Sequence, residues 1–542
     1  MNSLFYNGNI YTMDEAGPHA EAFFVKDGSF ACVGTNEAVM SFAKGSGDFE
    51  KTDLGGQCVI PAFNDSHMHF IDLARKSMCV DLNGTKSLDE IVSRMKSAIS
   101  GRKFQKGEWI EANGWNQDYF TGGEKRFLNR YDLDKVSEDV PIIAVRVCVH
   151  IAALNSCALS ILGIDKDTAP SYAGLAETDA DGEPTGIIKE TLTDEVRVKT
   201  SQLSAPLMRK LLENTQQEVF GLGITSVQSD DIGFMPDQDH HLWFNVLEDL
   251  RSSGILKMHI GEQCMLTSPD TIRSFAEEGY TYGGNANVRR TSVKIYNDGS
   301  LGARTASLRK PYNDDPTTRG VLYHTTDELC RLITAAHDSG YPVAIHAIGD
   351  NAVETALDAI EKERKLNGSR GFRDGIIHVQ ITDRAMLERF SRLGIMAFVQ
   401  PIFIDYDMHI AEDRVGSEVE TSYAWKTLID SGVHVSFGTD CPVEYCDPIP
   451  NIFTAVTRRG LTGDRQYFIK DEAVTMEEAI RAYTIEGAYA SGEEDIKGTI
   501  TAGKIADFVT LSSDLFKWTD EDDILQTKVT ATYVGGSCEY RR

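Results

Sequence analysis

The chain has 542 residues, of which 41% are hydrophobic and 25% are charged, and its formal net charge is −28. This composition is ordinary for a globular protein that buries a large core. The strong acidity argues against nucleic acid and against an anionic membrane surface as partners. The partner we expect is a small molecule, and a homodimer is left open.

The sequence also bears on the cellular compartment. The N-terminal stretch "MNSLFYNGNIYTMDEAG" has no basic flank followed by an apolar region, so we expect no signal peptide. No window approaches about 18 uninterrupted apolar residues, as a membrane-spanning helix needs. The 10 cysteines are scattered without a CxxC pair, which is typical of reduced thiols. These features together predict a cytoplasmic protein.

The two ends of the chain are β-rich, whereas the long middle alternates between short apolar strands and helical patterns. "SLFYNGNIYTM" and "AEAFFVKDGSFACVG" near the start, and "GTITAGKIADFVTLSSD" near the end, are short strands broken by turn residues. Strand–helix alternation in the middle predicts a parallel α/β architecture. We therefore predict a β-sandwich built from residues 1–57 and 495–542, beside an α/β domain over residues 58–494.

Eight candidate strands in the middle predict a (β/α)8 TIM-like barrel. They are "CVIPAF" (58–63), "ITSVQS" (224–229), "KMHIGEQ" (257–263), "TSVKIYN" (291–297), "YPVAIHA" (341–347), "GIIHVQ" (375–380), "IMAFVQ" (395–400) and "VHVSFGTD" (433–440). The gap from about 75 to 215 is too long for one crossover connection. We interpret it as a subdomain inserted after strand 1.

The stretch "PAFNDSHMHF" places His67 and His69 two residues apart, with Asp65 two residues before them. Residues at i and i+2 of a strand point to the same side, so the two imidazoles could share a metal ion. An isolated HxH is as easily explained by two histidines in a turn. The other strand ends must decide between these interpretations.

In an eight-stranded parallel barrel, the catalytic residues lie at the C-terminal ends of the strands. Four further polar residues occur there: Lys294, His346, His378 and Asp440. Each alone has a structural explanation: a hydrogen-bonded core histidine, a buried ion-pair partner for Lys294, or a helix N-cap for Asp440. Together with His67 and His69 they end five different strands, which favours a metal centre. We interpret His259, within strand 3, as structural.

Motifs along nearly the whole chain resemble the amidohydrolase superfamily, in particular its YtcJ-like (amidohydrolase 3) branch, which includes N-substituted formamide deformylase. They are "NGNIYTMD", "VKDGSFACVG", "PAFNDSHMH", "VHIAALNSCAL", "GEPTGIIKE", "GITSVQ", "VKIYNDGSLGARTA", "IHAIGDNAVETALDAIE", "IIHVQ", "FGTDCPVE", "DPIPNIFTAVTRRG" and "GTITAGKIADFVTL". The HxH is shared by the superfamily, whereas "DGSLGARTA" and "HAIGD" are specific to the branch. Ala62 stands where the family usually has glycine, a departure in a turn and not in a ligand.

The resemblance implies a ligand set. His67, His69 and Asp440 would hold one divalent ion, His346 and His378 a second, and Lys294 would bridge the two as a carbamate. Neutral imidazoles and carboxylates suit zinc and similar ions, at one or two per chain. A free ammonium cannot ligate, so Lys294 is either carbamylated by CO2 or no ligand.

The implied reaction is hydrolysis of a non-peptide C–N bond, such as that of an N-formyl or N-acyl amine, by metal-activated water. Asp440 is the candidate general base. Two alternatives stay open: a metal-assisted ester or lactone hydrolase, and an inactive metal-binding regulatory protein of the same fold.

Substrate choice is expected to depend on loops near the site. The predicted insert carries Trp115 in "NGWNQDYF" and His150 in "VHIAALN", and we expect it to cover the barrel mouth. Arg304, in the branch-specific "DGSLGARTA", is a third candidate for substrate binding.

Overall fold

The structure is a computed structural model that describes residues 2–102, 104, 108–147, 151–172, 174–200, 203–461 and 466–542. The chain divides into two compact units. The first comprises Met1–Phe70, Leu212–Gly233 and Trp243–Arg542, and the second comprises Ile71–Leu211 and Phe234–Leu242.

The first unit contains the predicted barrel of eight parallel strands. In order around the sheet they are Phe63–Met68, Ile224–Ser229, His259–Met265, Val288–Tyr296, Val343–Ala347, Gly375–His378, Met396–Val399 and Val435–Phe437, and a short strand, Gly283–Gly284, pairs with the fourth. Neighbouring strands are parallel throughout. Nearly every residue in them is buried, as expected for a parallel sheet covered by helices.

The first barrel strand begins later than the sequence indicates. Cys58–Pro61 is a separate strand that pairs with Asn9–Tyr11 and Phe508–Leu511, and the barrel strand proper is Phe63–Met68. A continuous apolar run such as "CVIPAF" does not reveal the change of sheet at Ala62, because both strands are fully buried.

Side chains and backbone bridge the seam between the eighth and first barrel strands. The Thr439 hydroxyl donates to Asp65 Oδ2 over 2.5 Å, and the Asp440 N–H donates to the His67 carbonyl over 2.8 Å. The His69 N–H donates to the Cys441 carbonyl over 2.7 Å. The seam therefore fixes Asp440 against His67 and His69.

Two further sheets lie in the first unit, one built from N-terminal strands alone and one from strands of both chain ends. A four-stranded sheet has the order Ser29–Gly34, Ala22–Lys26, Ser3–Tyr6 and Glu50–Asp53. A six-stranded sheet has the order Ser537–Arg541, Val529–Val534, Phe508–Leu511, Cys58–Pro61, Asn9–Tyr11 and His19–Ala20. Their shared core is aromatic: the Phe508 ring lies 5.0 Å from that of Phe5, 4.7 Å from that of Phe23 and 4.3 Å from that of Tyr533.

Helices connect and cover these strands. The α-helices are Asn36–Ala43, Phe70–Lys76, Leu88–Ile99, Arg130–Asp134, Ser156–Leu162, Glu190–Thr200, Ala205–Gly221, His240–Ser252, Pro269–Glu277, Thr326–Asp338, Asp350–Asn367, Arg384–Leu393, Ile404–Asp407, Ala411–Val415, Trp425–Asp430, Pro448–Thr457, Met476–Ala482, Ile485–Ala490 and Asp522–Gln526. Several begin at a side-chain cap, as when Thr325 and Glu328 form a capping box at Thr326–Asp338. The N-cap of Pro448–Thr457 is Asp447, which leaves Asp440 without that structural role.

The second unit has a six-stranded sheet of its own. Its order is Ala176–Thr178, Pro184–Lys189, Ile151–Leu154, Ile142–Arg146, Ile110–Trp115 and Val80–Asp81. Trp115 is fully buried in the core of this unit, and its indole N–H donates to the Ala144 carbonyl over 2.9 Å.

Among the described helices, none combines the length and apolar character that crossing a membrane requires. The cysteines that the structure describes are free thiols.

Candidate metal centre

His67 and His69 lie at the C-terminal end of the first barrel strand and face Asp440. Asp440 Oδ1 is 3.3 Å from His67 Nε2 and 3.1 Å from His69 Nε2. All three side chains are almost completely buried. Asp440 has a φ of 58° and His378, across the barrel, a φ of 78°. Non-glycine residues held in the left-handed region are uncommon and concentrate at functional sites.

Lys294 reaches the same place from the fourth strand. Its Nζ lies 3.1 Å from His67 Nε2 and 3.2 Å from Asp230 Oδ2. Tyr296, two residues further on the same face, donates its hydroxyl to Asp230 Oδ2 over 3.0 Å. Asp230 thus supplies the ion-pair partner that a buried lysine requires.

His346 and His378 complete the cluster from the fifth and sixth strands. His346 Nδ1 and His378 Nε2 are 2.9 Å apart. On its far side His346 Nε2 is 3.3 Å from the Gly299 carbonyl oxygen and 3.4 Å from Asp298 Oδ1. Asp298 is held in turn by the backbone N–H groups of three residues: Ser307, Ile348 and Gly349. One ligand atom each from His67, His378 and Asp440 falls within 4.8 Å of the others.

Burial and local charges keep three of the histidines neutral. Burial, followed by the charge of Lys294, lowers the pKa of His67 to about 4 and that of His346 to about 3. Burial and the neighbouring His346 hold the pKa of His378 well below its usual value. At neutral pH each of these rings therefore has a nitrogen lone pair available to a cation.

Asp440 and His69 behave as a charged pair. Burial opposes ionisation of Asp440, but the neighbouring rings of His67 and His69 hold the pKa of its carboxyl well below the usual value. Burial likewise opposes protonation of His69, but the hydrogen bond and charge of Asp440 outweigh it and raise the pKa of His69 to about 9. A protonated His69 here balances the Asp440 carboxylate, a role that a metal cation can take over.

The donor set fits a divalent metal ion. Neutral imidazoles with a carboxylate are ligands that zinc and related ions prefer. In addition, Asp230 Oδ1 is buried beside Lys294 without a hydrogen-bond partner in the described part of the chain. Two buried carboxylates, Asp230 and Asp440, contact the cluster and favour a cation at its centre.

Of the three candidate substrate-binding residues, the structure describes Trp115 and Arg304. Trp115 is a core residue of the second unit with its only polar group satisfied. The sequence indicated an aromatic near the site but could not distinguish a lining residue from a core residue. Arg304 is part-exposed and forms an ion pair with Asp314, with Nη2 to Oδ2 at 2.7 Å. His150 lies outside the described residues, and its role as a substrate contact stays a prediction.

His259 has the structural role that its position indicated. Its Nε2 lies 2.7 Å from Asp507 Oδ2, and its Nδ1 donates to the Ala286 carbonyl. It therefore ties the third barrel strand to the C-terminal part of the chain.

Sequence reasoning missed five polar neighbours of the cluster: Asp230, Gln263, Tyr296, Asp298 and Gln400. Gln263 and Gln400 contact the rings of His67 and His378. A signal was present in the sequence, because each of the five lies at or just beyond the C-terminal end of a barrel strand. Glutamine and tyrosine are not typical metal ligands, whereas Asp230 and Asp298 are carboxylates that follow the second and fourth barrel strands.

Comparisons with known proteins find related chains and structures over nearly the whole length. Residues 50–540 match the model of the amidohydrolase family. The chain is 32% identical to a putative amidohydrolase, YtcJ, of Bacillus subtilis over 100% of both chains, and 26% identical to N-substituted formamide deformylase of Arthrobacter pascens over 99% of this chain and 98% of that protein. A crystal structure of an uncharacterized metal-dependent hydrolase from Pyrococcus horikoshii is 30% identical, with a TM-score of 0.80, over 96% of this chain and 99% of the other.

Proposed function

Because the chain belongs to the amidohydrolase family, we propose that it hydrolyses an amide-type C–N bond outside peptides, such as that of an N-formyl or N-acyl amine. The observation that carries the proposal is the convergence of His67, His378 and Asp440 within 4.8 Å at the C-terminal end of the barrel. N-substituted formamide deformylase, similar over almost the whole chain, supports the choice of bond.

The proposed metal ligands are the residues of this cluster. His67, His69 and Asp440 would hold one divalent ion, and His346 and His378 a second, with zinc as the expected metal. A bound ion of this kind lowers the pKa of a water molecule towards about 7 and polarises a substrate carbonyl.

Lys294 can join the ligand set only after modification. An ammonium group has three donors and no lone pair. We propose that Nζ first loses one proton to water and becomes a neutral amine. The amine then forms a bond to the carbon of CO2 and loses a second proton to water, which gives a carbamate with oxygen ligands. Asp230, now 3.2 Å from Nζ, and Tyr296 are the groups that would have to adjust to the new negative charge.

Asp440 is the proposed general base. Its Oδ1 faces the rings of His67 and His69, so we assign the incoming proton to Oδ2. Ionisation at neutral pH leaves the carboxylate ready to accept a proton from water and to pass it to the leaving amine. The barrel seam holds Asp440 in place through its backbone N–H bond to His67.

A substrate panel tests the proposal. We would assay the purified protein, loaded with zinc, against N-formyl amines, N-acyl amino acids, and esters and lactones of matched size. The expected result is turnover of the formyl or acyl amines, with kcat/KM above that of the matched esters. Faster hydrolysis of esters or lactones would contradict the bond class, and no turnover of any compound would favour a metal-binding regulatory protein.

A further inference from the structure

Two buried glutamines lie directly behind two of the histidines. Gln263, in the third barrel strand, places Oε1 2.6 Å from His67 Nδ1. Gln400, the residue after the seventh strand, places Oε1 2.7 Å from His378 Nδ1. Both glutamines are buried, with exposures of 0% and 2%. Neither can ligate the proposed metal from this position, since each lies on the far side of its imidazole.

The orientation of each amide is fixed by its other end. Gln263 Nε2 donates to the Ser66 carbonyl over 3.1 Å, and Gln400 Nε2 donates to the Phe398 carbonyl over 3.3 Å. A backbone carbonyl only accepts hydrogen bonds, so the amide nitrogen must face it. The oxygen of each amide must therefore face the imidazole.

An amide oxygen also only accepts, which determines where the ring proton lies. Nδ1 of His67 and Nδ1 of His378 must donate to Gln263 and Gln400. A neutral imidazole has one N–H, so Nε2 carries the lone pair in both rings. The contact of His67 Nε2 with Lys294 Nζ at 3.1 Å agrees, because an ammonium donates and needs an acceptor. His67 Nε2 also lies 3.3 Å from Asp440 Oδ1, a second acceptor, and this contact becomes favourable with a cation beside both atoms.

The same reasoning explains the short contact between His346 and His378. His346 Nε2 faces the Gly299 carbonyl, another acceptor, so its lone pair is on Nδ1. The lone pairs of His346 Nδ1 and His378 Nε2 then face each other, with the two nitrogens 2.9 Å apart. That arrangement is unfavourable alone and becomes favourable with a cation beside both nitrogens.

We propose that Gln263 and Gln400 are positioning residues that hold His67 and His378 as Nδ1–H tautomers, so that both rings offer Nε2 to a divalent cation before it binds. The proposal rests on the metal site proposed above. Neither glutamine touches the cation itself, so each would act only through the histidine ligand that it orients.

Neutral amides suit this position better than carboxylates. Metal-bound histidines commonly donate their second N–H to a carboxylate or a carbonyl. Here two buried carboxylates, Asp230 and Asp440, already contact the cluster. A carboxylate behind each ring would add further buried negative charge, whereas an amide supplies the acceptor without it.

Ring-nitrogen NMR tests the tautomers directly. The full-length protein, labelled with 15N in the histidine rings, is treated with a chelator and compared with Gln263→Met and Gln400→Met, with signals assigned through His67→Asn and His378→Asn. We expect His67 and His378 of the wild type to carry their proton on Nδ1. Each Met variant should show a second population, protonated at Nε2, for its own histidine only.

Binding of Zn²⁺ alone, measured by competition with a chelator, gives a second readout. Loss of an outer hydrogen-bond partner typically weakens metal affinity about 10–100-fold, and we expect this for each Met variant. Gln263→Glu and Gln400→Glu keep an acceptor and should retain the Nδ1–H tautomer. Gln216→Met is the matched control, because Gln216 is equally buried but bridges the Ile255 carbonyl and the Lys257 N–H.

The outcomes separate this inference from the proposed function. Wild-type protein protonated at Nε2 of His67 or His378 would overturn the inference, and so would Met variants with unchanged tautomers and affinity. Should the Met variants fail to fold, the wild-type spectrum still decides. A wild type that shows the Nδ1–H tautomers but binds no Zn²⁺ would overturn the metal site and leave the tautomers established.

Discussion

Asp440 is the residue on which the proposed chemistry depends most. We expect Asp440→Asn to keep the fold but to lower kcat by about 10²–10⁴-fold, because an amide cannot accept the proton from water. Steady-state kinetics on the best substrate of the panel, with circular dichroism as the folding check, measure this. Asp447→Asn is the matched control, since Asp447 lies in the same loop and asparagine caps a helix equally well. An Asp440→Asn enzyme within tenfold of the wild type would assign the base to another group.

At the scale of elements, the seam between the first and eighth barrel strands positions Asp440. Thr439→Val removes the hydroxyl that donates to the buried Asp65. Leaving a buried acceptor without its partner costs about 1–3 kcal/mol, so we expect a loss of this size in the unfolding free energy, together with weaker metal retention. Thr457→Val, which removes a buried hydroxyl that donates to the Phe453 carbonyl and accepts from the Arg459 N–H, should leave metal retention unchanged. Equal metal retention in the two variants would show that the seam does not position the site.

A second element-scale feature is a buried charge network between two helices and the start of the sixth barrel strand. His337 Nε2 lies 2.8 Å from Asp374 Oδ1, and His337 Nδ1 lies 3.1 Å from Glu363 Oε2. Burial opposes protonation of His337, but the hydrogen bond and charge of Asp374, with the charge of Glu363, raise its pKa above the usual value. The folded state therefore binds the proton more tightly than the unfolded state does.

This shift predicts the pH dependence of stability. The contribution of His337 is fully present below the unfolded pKa of about 6.5 and is lost as pH rises through the higher folded pKa. We expect the difference in unfolding free energy between wild type and His337→Gln, measured by urea denaturation, to shrink as pH rises above about 6.5. His434→Gln, at a part-exposed histidine, is the control. A difference that stays constant with pH would contradict the account.

At the scale of the whole molecule, the two chain ends share one core. Phe508 from the C-terminal part contacts Phe5 and Phe23 from the N-terminal part. Deleting residues 495–542 should therefore give insoluble protein, which the soluble fraction after expression measures. As a milder change, Phe508→Ala should cost about 3–5 kcal/mol of unfolding free energy. Phe42→Ala, at an exposed phenylalanine, should cost far less. A soluble and active truncated enzyme would show that the ends fold independently.

The sequence predicted the barrel because its strands are short apolar runs, each followed by a polar residue at the end where chemistry lies. His67, His346, His378 and Asp440 stood out because their side chains are metal ligands. Gln263 and Gln400 end predicted strands as well. Glutamine is neither a typical metal ligand nor a general base, so the sequence does not single these residues out. Only the structure shows that each contacts a histidine of the cluster. Trp115 stood out in the sequence, but an aromatic residue fits a substrate site and a core equally well. Its complete burial identifies it as a core residue.

Metal analysis of the untreated protein tests the central claim most directly. Elemental analysis of the purified wild type, beside the double variant His67→Asn/His378→Asn, counts the ions that the cluster holds. We predict about one to two equivalents of a divalent metal per wild-type chain, with zinc the most abundant. The double variant should retain only a small fraction of that amount, in protein that remains folded. Well below one equivalent in the wild type, or the same content in the folded double variant, would contradict a metal centre at this site.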